Sequence, residues 1–358
     1  MNKTVLVDAR SFSDEPVGVA RYVANLIKEL AFLGYNIELV SNKDIVLPNL
    51  LLDLNLKCHH GKLFKFIPGS LYIFLLGLFF SGRDYIFWGP NHVVPAFGIK
   101  SLLTVHDIVM IRHPETMTFT NRFLNRIFLY CSLRLASKVS AVSEFTKKEL
   151  LREFKFLSFD NIHVIRNSVD RDLFNTGFKS GDTVSNRFLL TVGTLEPRKN
   201  IGAVISAFSR LVNEFGYQGD LVIVGKKGWL VDTYLSSSLD AEVNNKIKFT
   251  GFISDRELSL YYSRCDVFVF PSLYEGFGIP PLEAYCVGAK VLSTSISEMP
   301  FLNLHGMSII NPYNKNLCEE LFRLIQAPKL TDPKYVDSWM ANALVLRDIL
   351  ECLGAVNE

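Results

Sequence analysis

The 358-residue chain lacks the short signatures of several large enzyme classes. It contains no GxGxxG dinucleotide fingerprint, no GxxxxGK[ST] phosphate loop and no HExxH zinc motif. A Rossmann dehydrogenase, a P-loop NTPase and a zincin are thereby excluded as first readings. Its six cysteines (Cys58, Cys131, Cys265, Cys286, Cys318 and Cys352) form no CxxC and no paired spacing. Neither a zinc ribbon nor a disulfide framework is expected, and reduced, mostly buried thiols in a cytoplasmic protein fit better. No sign of charge dominates: 38 Lys and Arg against 36 Asp and Glu give +2. That balance argues against a nucleic-acid partner, which calls for a basic excess. Met1-Asn2-Lys3-Thr4 runs straight into VLV, too short for the apolar core of a signal peptide. Long apolar runs are also missing. The longest uncharged one, Phe66–Phe80 (FIPGSLYIFLLGLFF), is broken by Pro68, Gly69 and Gly77, whereas a span needs about 20 apolar residues. It reads as a buried helix or, alternatively, as an interfacial helix leaning on a bilayer.

What is present is a large apolar fraction, 49%, with 28 phenylalanines. That is enough for two cores. Continuous β-rich runs alternate with helical stretches: TVLVDA at 4–9, NIELVS at 36–41, DYIFWG at 84–89, SLLTVHD at 101–107, KVSAVS at 138–143 and IHVIRN at 162–167. The pattern restarts with FLLTVGT at 188–194, then LVIVG, KIKFTG, VFVFPS, KVLST and SIINP. Unbroken rather than alternating apolar strands point to parallel sheets covered on both faces, hence two doubly wound α/β domains. The expected division is 1–168, a polar linker over 169–187, a second domain over 188–334, and a last helix from Tyr335 whose apolar stripe includes Trp339, Ala343 and Leu350. Ligands bind beyond the carboxyl ends of such strands.

Four motifs sit at those ends. In YEGFGIPPLEAYCVGAK, Glu275 and Glu283 flank Gly276, Gly278, Pro280 and Pro281. Proline suits the first helical position, so a helix is expected from Pro280 or Pro281, with Glu283 in its first turn and its free N–H groups favouring an anion. A carboxylate there can stabilise the helix dipole or accept from a vicinal diol. In TVGTLEPRKN, Arg198 and Lys199 occupy a strand-to-helix loop, where a fork and a point charge suit a diphosphate and where uncompensated cations are disfavoured. His106 and Asp107 follow a buried-looking strand, and Gly18 lies in the first loop just before a helix. Asp170-Arg171-Asp172 is a DxD, but it falls in the expected linker and reads as solvated charge; no metal site is expected.

In this order the motifs resemble the retaining GT-B glycosyltransferases of family 4. Glu275-GFGIPPL-Glu283 is similar to that family's E-x7-E, and TVGTLEPRKNI to its donor-phosphate strand and loop; GVARY, SAVSEFTKKEL and NSVDRDLF follow suit. The resemblance spans nearly the whole chain. It departs at Gly288-Ala289-Lys290-Val291, at Arg166-Asn167-Ser168-Val169-Asp170 and in the Glu298-MPFLNLHG loop. It implies a GT-B fold: two Rossmann-like domains facing a deep cleft, with the C-terminal helix crossing back to the N-terminal domain. It further implies that Arg198 and Lys199 neutralise the donor diphosphate, that Glu283 holds the ribose, and that Glu275 with Gly276, Phe277, Gly278 and Ile279 holds the sugar and diphosphate. His106 would bond a sugar hydroxyl, Gly18 would approach the phosphates, and Gly251 and Phe252 would lie near the base. The implied reaction is retaining, metal-independent and cofactor-free transfer of a hexose. Mannose from GDP-mannose is the first expectation, with rhamnosyl or glucosyl transfer from dTDP- or UDP-sugars as alternatives. The expected acceptor is a glycan or lipid-linked glycan of bacterial surface polysaccharide or O-antigen, and the expected location is cytoplasmic, with peripheral contact at the inner face of the plasma membrane. A non-catalytic GT-B module binding nucleotide or glycan, or a nucleotide-sugar epimerase, are the readings of another class.

Overall fold

The computed structural model describes residues 4–12, 18–61, 65–80, 84–116, 118–171, 173–174, 187–225, 240–302, 304–313, 315–329, 333, 335 and 337–355. The chain divides into two units, Met1–Ser168 with Asp337–Glu358, and Val169–Val336.

Unit 1 is built on a seven-stranded parallel sheet in the order β3-β2-β1-β4-β5-β6-β7. Its strands are β1 (Thr4–Asp8), β2 (Ile37–Ser41), β3 (Lys57–His60), β4 (Tyr85–Gly89), β5 (Lys100–Val105), β6 (Lys138–Ala141) and β7 (Ile162–Val164). All of these except β3 follow the apolar runs; KCHH carries no such signal and lies at the sheet edge, half-exposed. The helices are α1 (Gly18–Phe32), α2 (Gly69–Leu75), α3 (Gly77–Phe80), α4 (Val109–Arg112), α5 (Phe119–Leu135) and α6 (Glu144–Glu153). The C-terminal helix belongs to this unit and packs on α1, β4 and β5. It begins at Trp339 rather than Tyr335, because Ser338 accepts the Ala341 N–H at 3.1 Å and caps it. The Trp339 ring meets Tyr22 of α1 edge-on at 6.1 Å.

Two expectations change here. Gly18 is the first residue of α1, not a loop residue. The Phe66–Phe80 stretch is not one buried helix. It breaks at Leu76 into α2 and α3, burying Tyr72, Ile73 and Leu76 while Phe66, Leu78 and Phe79 are exposed. Gly77 stands where a Cβ would lie 1.9 Å from the Phe97 carbonyl oxygen, so a side chain has no room there.

Unit 2 holds a six-stranded parallel sheet, β10-β9-β8-β11-β12-β13. Its strands are β8 (Phe188–Val192), β9 (Asp220–Val224), β10 (Ile247–Gly251), β11 (Val267–Phe270), β12 (Val291–Thr294) and β13 (Ser308–Ile310). They alternate with α7 (Ile201–Phe215), α8 (Ala241–Asn245), α9 (Asp255–Arg264), α10 (Ile279–Cys286), α11 (Met299–Leu302) and α12 (Leu317–Gln326). Leu189, Leu221, Val267, Val269 and Leu292 of the sheet pack against Phe208 and Leu211 of α7 and Leu321 of α12. Of the cysteines, Cys265 and Cys318 are buried, Cys352 is exposed and the others are intermediate; all six are free.

Candidate active site

Strand order reverses in unit 2 between β8 and β11, neighbours in the sheet but far apart in sequence. The carboxyl ends of strands at such a reversal are the usual ligand position in an open α/β sheet. The loop after β8 makes one 3₁₀ turn, Pro197–Lys199, opened by proline with its fixed φ. Asn200 then takes the left-handed conformation (φ 57°) and launches α7. Its side-chain amide donates to the carbonyls of Pro271 (3.2 Å) and Pro312 (3.3 Å), tying three loops together. Asparagine tolerates this backbone better than most residues.

That turn aims Arg198 and Lys199 at the loop after β11. Lys199 Nζ donates to Glu275 Oε1 at 2.7 Å, and Arg198 lies 2.9 Å from Glu275 Oε2. Arg198 also donates to the Tyr274 carbonyl (2.8 Å) and to Glu196 (2.7 Å), while the Leu273 N–H donates back to the Arg198 carbonyl. The Lys199 ammonium lies over the Phe270 ring at 4.9 Å. Its stem runs past Gly193, where a Cβ would approach to 3.2 Å. Glu275 is nearly buried. Burial alone would raise its pKa, but Lys199 and Arg198 overcome that and hold the carboxyl at about 2. Two cations and one carboxylate thus form a desolvated lattice. Removing one member of such a set typically costs about 3–5 kcal/mol.

Glu275 N–H donates to the Ile296 carbonyl (3.0 Å), and Glu298 N–H to Phe277 (3.3 Å), so the loop after β12 braces the loop after β11. Gly278 at φ 98° caps α10. The helix starts at Ile279, which corrects the expected start at Pro280 or Pro281. Glu283 is therefore its fifth residue and not in the first turn. Pro280 and Pro281 lack N–H groups, so the helix end offers an anion fewer donors than the motif alone suggests. Glu283 is buried (2% exposed) and accepts from the Tyr262 hydroxyl at 3.2 Å. Gly251 (φ 74°) ends β10, and Phe252 after it is 78% exposed.

Gly18 and His106 belong to unit 1, where order reverses between β1 and β4. His106 follows β5. Its backbone N–H donates to His92 Nε2 (2.9 Å) and its carbonyl accepts from Thr146 (3.1 Å). Burial first, and then the neighbouring His92, push the imidazole down to about 3. Its Nε2 is buried with no hydrogen-bond partner among the described residues. His92 itself sits at φ 64°. The contributions of Glu196, Asn200, Tyr262 and His92 went unread in the sequence; only the turn signal of Pro197 and the asparagine after Arg-Lys could have flagged the first two. Asp172 of the DxD lies outside the described residues. Among the described residues no group of three or more His, Cys, Asp or Glu side chains is placed to hold a metal ion.

Two family models match, glycosyltransferase family 4 over residues 16–173 and glycosyl transferases group 1 over 175–332. The chain is 27% identical to O-antigen chain mannosyltransferase B of Escherichia coli, over 81% of this chain and 83% of that one. It is 28% identical to the serotype-specific mannosyltransferase WbdA of Escherichia coli over 68% of this chain but only 31% of that longer protein. Among solved structures, Anabaena HepE in complex with UDP and glucose superposes with TM-score 0.71 at 19% identity, over 99% of this chain and all of that one. This likeness shows the fold, GT-B.

Proposed function

Because the chain belongs to the family 4, group 1 glycosyltransferases, we propose that it transfers mannose from GDP-mannose, with retention, to a glycan or lipid-linked glycan of a bacterial surface polysaccharide. The observation that carries the transfer site is the convergence of Arg198 and Lys199 on one buried carboxylate, Glu275, where the strand order of unit 2 reverses. The choice of sugar rests on the O-antigen mannosyltransferase relatives.

In this reading the bond between the anomeric carbon and the diphosphate oxygen breaks while the acceptor oxygen bonds to the same face of that carbon. The acceptor proton passes to the departing phosphate. Charge grows on the diphosphate, and Arg198 and Lys199, already desolvated and oriented, stabilise it without reorganising. Glu275 stays ionised at every working pH and accepts from sugar hydroxyls; it positions the donor and is not the nucleophile. Glu283, steadied by Tyr262, takes the ribose. Gly276, Phe277, Gly278 and Ile279 line the diphosphate and sugar, and Gly251 and Phe252 lie at the base. In unit 1, Gly18 approaches the phosphates. His106 bonds a sugar hydroxyl through Nε2; a buried polar atom without a protein partner is a natural place for a ligand group. No metal takes part, so turnover persists in EDTA; loss of turnover restored by Mg²⁺ would assign Asp170 and Asp172 a role. The deciding assay supplies GDP-mannose and a polysaccharide-repeat acceptor and follows GDP release with the anomeric configuration of the product. Release of UDP or dTDP from the corresponding sugars, with none of GDP, would replace the donor.

A further inference from the structure

His106 stands at the end of β5 with both of its backbone polar groups committed to side chains. Its carbonyl accepts from the Thr146 hydroxyl of α6 at 3.1 Å, and its N–H donates to His92 Nε2 at 2.9 Å. The second bond fixes chemistry as well as place. An imidazole nitrogen that accepts carries no proton, so His92 is neutral, with its proton on Nδ1. A protonated His92 would set N–H against N–H. Burial pushes the pKa of His92 down, Asp107 pulls it up and Arg10 pushes it down again. The two histidine rings lie 5.9 Å apart, tilted by 35°, and His106 also meets the Tyr22 ring edge-on at 5.0 Å.

His92 reaches this position on a left-handed backbone, φ 64°. Among the described residues Asn200, in the site of unit 2, is the other non-glycine residue with positive φ. Such a conformation persists where the surroundings over-determine it. Here they act one residue earlier. The Asn91 carbonyl accepts from Arg10 at 3.3 Å, and the Asn91 side-chain amide donates to the Asp8 carbonyl at 3.2 Å. Arg10 pairs with the Asp8 carboxylate at 2.7 Å and donates to Ser70 of α2 at 3.1 Å. Asp8 is fully buried, and Gly69 leaves room for the arginine, since a Cβ there would lie 2.9 Å from Arg10 Cδ. The loop after β4 is thus clamped to the end of β1 immediately before His92. Glycine or asparagine would serve a loop that needed only this φ. The imidazole adds an acceptor, one side-chain length away, on the His106 N–H. We propose that His92 is a positioning residue for the transfer reaction: clamped by Arg10 and Asp8, it fixes the backbone of His106 and so the place of the ring that meets the sugar. The proposal rests on the role given to His106 above and adds the residue on which that role depends.

Two substitutions in the whole chain separate the acceptor from the backbone. His92→Asn suits a left-handed backbone, but its side-chain oxygen stops near the place of Nδ1 and cannot replace Nε2. His92→Gln is the reverse: its oxygen reaches the place of Nε2, while glutamine is less at home at positive φ. Hydrogen exchange of the His106 backbone amide should quicken in His92→Asn and stay near the wild-type rate in His92→Gln. In the transfer assay with GDP-mannose, kcat should fall about 10–100-fold in His92→Asn, as for a reacting group misplaced by about 1 Å, and recover to within about fivefold of wild type in His92→Gln. The Kd of GDP should stay within about twofold in both, because Arg198 and Lys199 belong to the other unit. An active asparagine variant beside an inactive glutamine one would mean that the backbone conformation alone matters, and overturns the proposal. So does loss of turnover in His106→Ala with full turnover in both His92 variants. A His106→Ala variant that turns over at the wild-type rate would instead strike the reading of His106 itself, and the proposal with it.

Discussion

The candidate clusters at the strand ends of the two units hold opposite chemistry, although unit 1 also carries a buried ion pair, Arg10 to Asp8 at 2.7 Å, at the end of β1. In unit 2 the side chains are charged and matched: Arg198 and Lys199 against Glu275, with Glu196 on the far side of the guanidinium. In unit 1, His106 is held neutral by burial and by a second histidine, and one ring nitrogen has no hydrogen-bond partner among the described residues. A charged lattice keeps its form in low dielectric only if every charge is answered, and it can exchange an internal partner for an anionic ligand. A neutral imidazole carries no such obligation and can donate to or accept from a hydroxyl. The first suits a diphosphate, the second a sugar, which is the division of labour proposed above.

The sharpest way to break the comparison is Glu275→Ala. Transfer should be lost, while nucleotide affinity stays within about tenfold, ~1.4 kcal/mol, because the two cations remain. Loss of nucleotide binding in the same titration would move Glu275 onto the nucleotide. Arg198→Ala or Lys199→Ala should each lower kcat about 10²–10³-fold, comparable to removing one donor from an oxyanion site; near-normal turnover would dissolve the diphosphate assignment. Asn200→Ala should cost about 1–3 kcal/mol of stability, as left-handed strain adds to two lost hydrogen bonds, and Asn200→Gly less, since glycine removes only the bonds. Equal unfolding midpoints for the two variants would mean the backbone conformation is not the issue.

The smallest effect separates the units by pH. Glu275, held at about 2 against an ordinary 4.5, contributes stability above the higher value that is lost as pH falls from 4.5 towards 2. His106 is a base pushed down from 6.5 to about 3. Above 6.5 it is neutral folded or unfolded and contributes no pH dependence. Below that the unfolded chain takes up a proton the folded one refuses, so stability falls as pH drops from 6.5 towards 3, by at most about 1.4 kcal/mol per pH unit. His92, also pushed down by burial, acts with the same sign. His106→Gln should therefore flatten the Tm profile between pH 6.5 and 5, where Glu275→Ala should leave its slope alone. An unchanged slope in the histidine variant would show that His106 titrates normally.

The sequence made the sheets legible because parallel strands buried on both faces are unbroken apolar runs; β3, polar and at the edge, had no such mark. The strand-to-helix loops were legible for the same reason that they are useful: Pro197 and Gly278 announce their turns. The start of α10 differs by one or two residues because proline suits the first helical position, whereas Ile279 takes that place and the two prolines follow it in the first turn. The stretch from Phe66 to Phe80 departs from a single buried helix because apolar content does not reveal which residues of a run face solvent, as Phe66, Leu78 and Phe79 do. Partners set by tertiary approach, Glu196 apart, such as Tyr262 for Glu283 and His92 for His106, leave no trace at any fixed spacing.

The most direct test of the central claim is a calorimetric titration of GDP, UDP, dTDP and ADP into the wild-type chain and into Arg198→Ala with Lys199→Ala. One diphosphate, GDP on the present reading, should bind the wild type and stabilise it by about 2.7 kcal/mol at one hundred times its Kd, and the double variant should lose at least about a hundredfold in affinity. Equal binding by the two proteins, or no binding of any nucleotide, would contradict the assignment of the lattice to the donor.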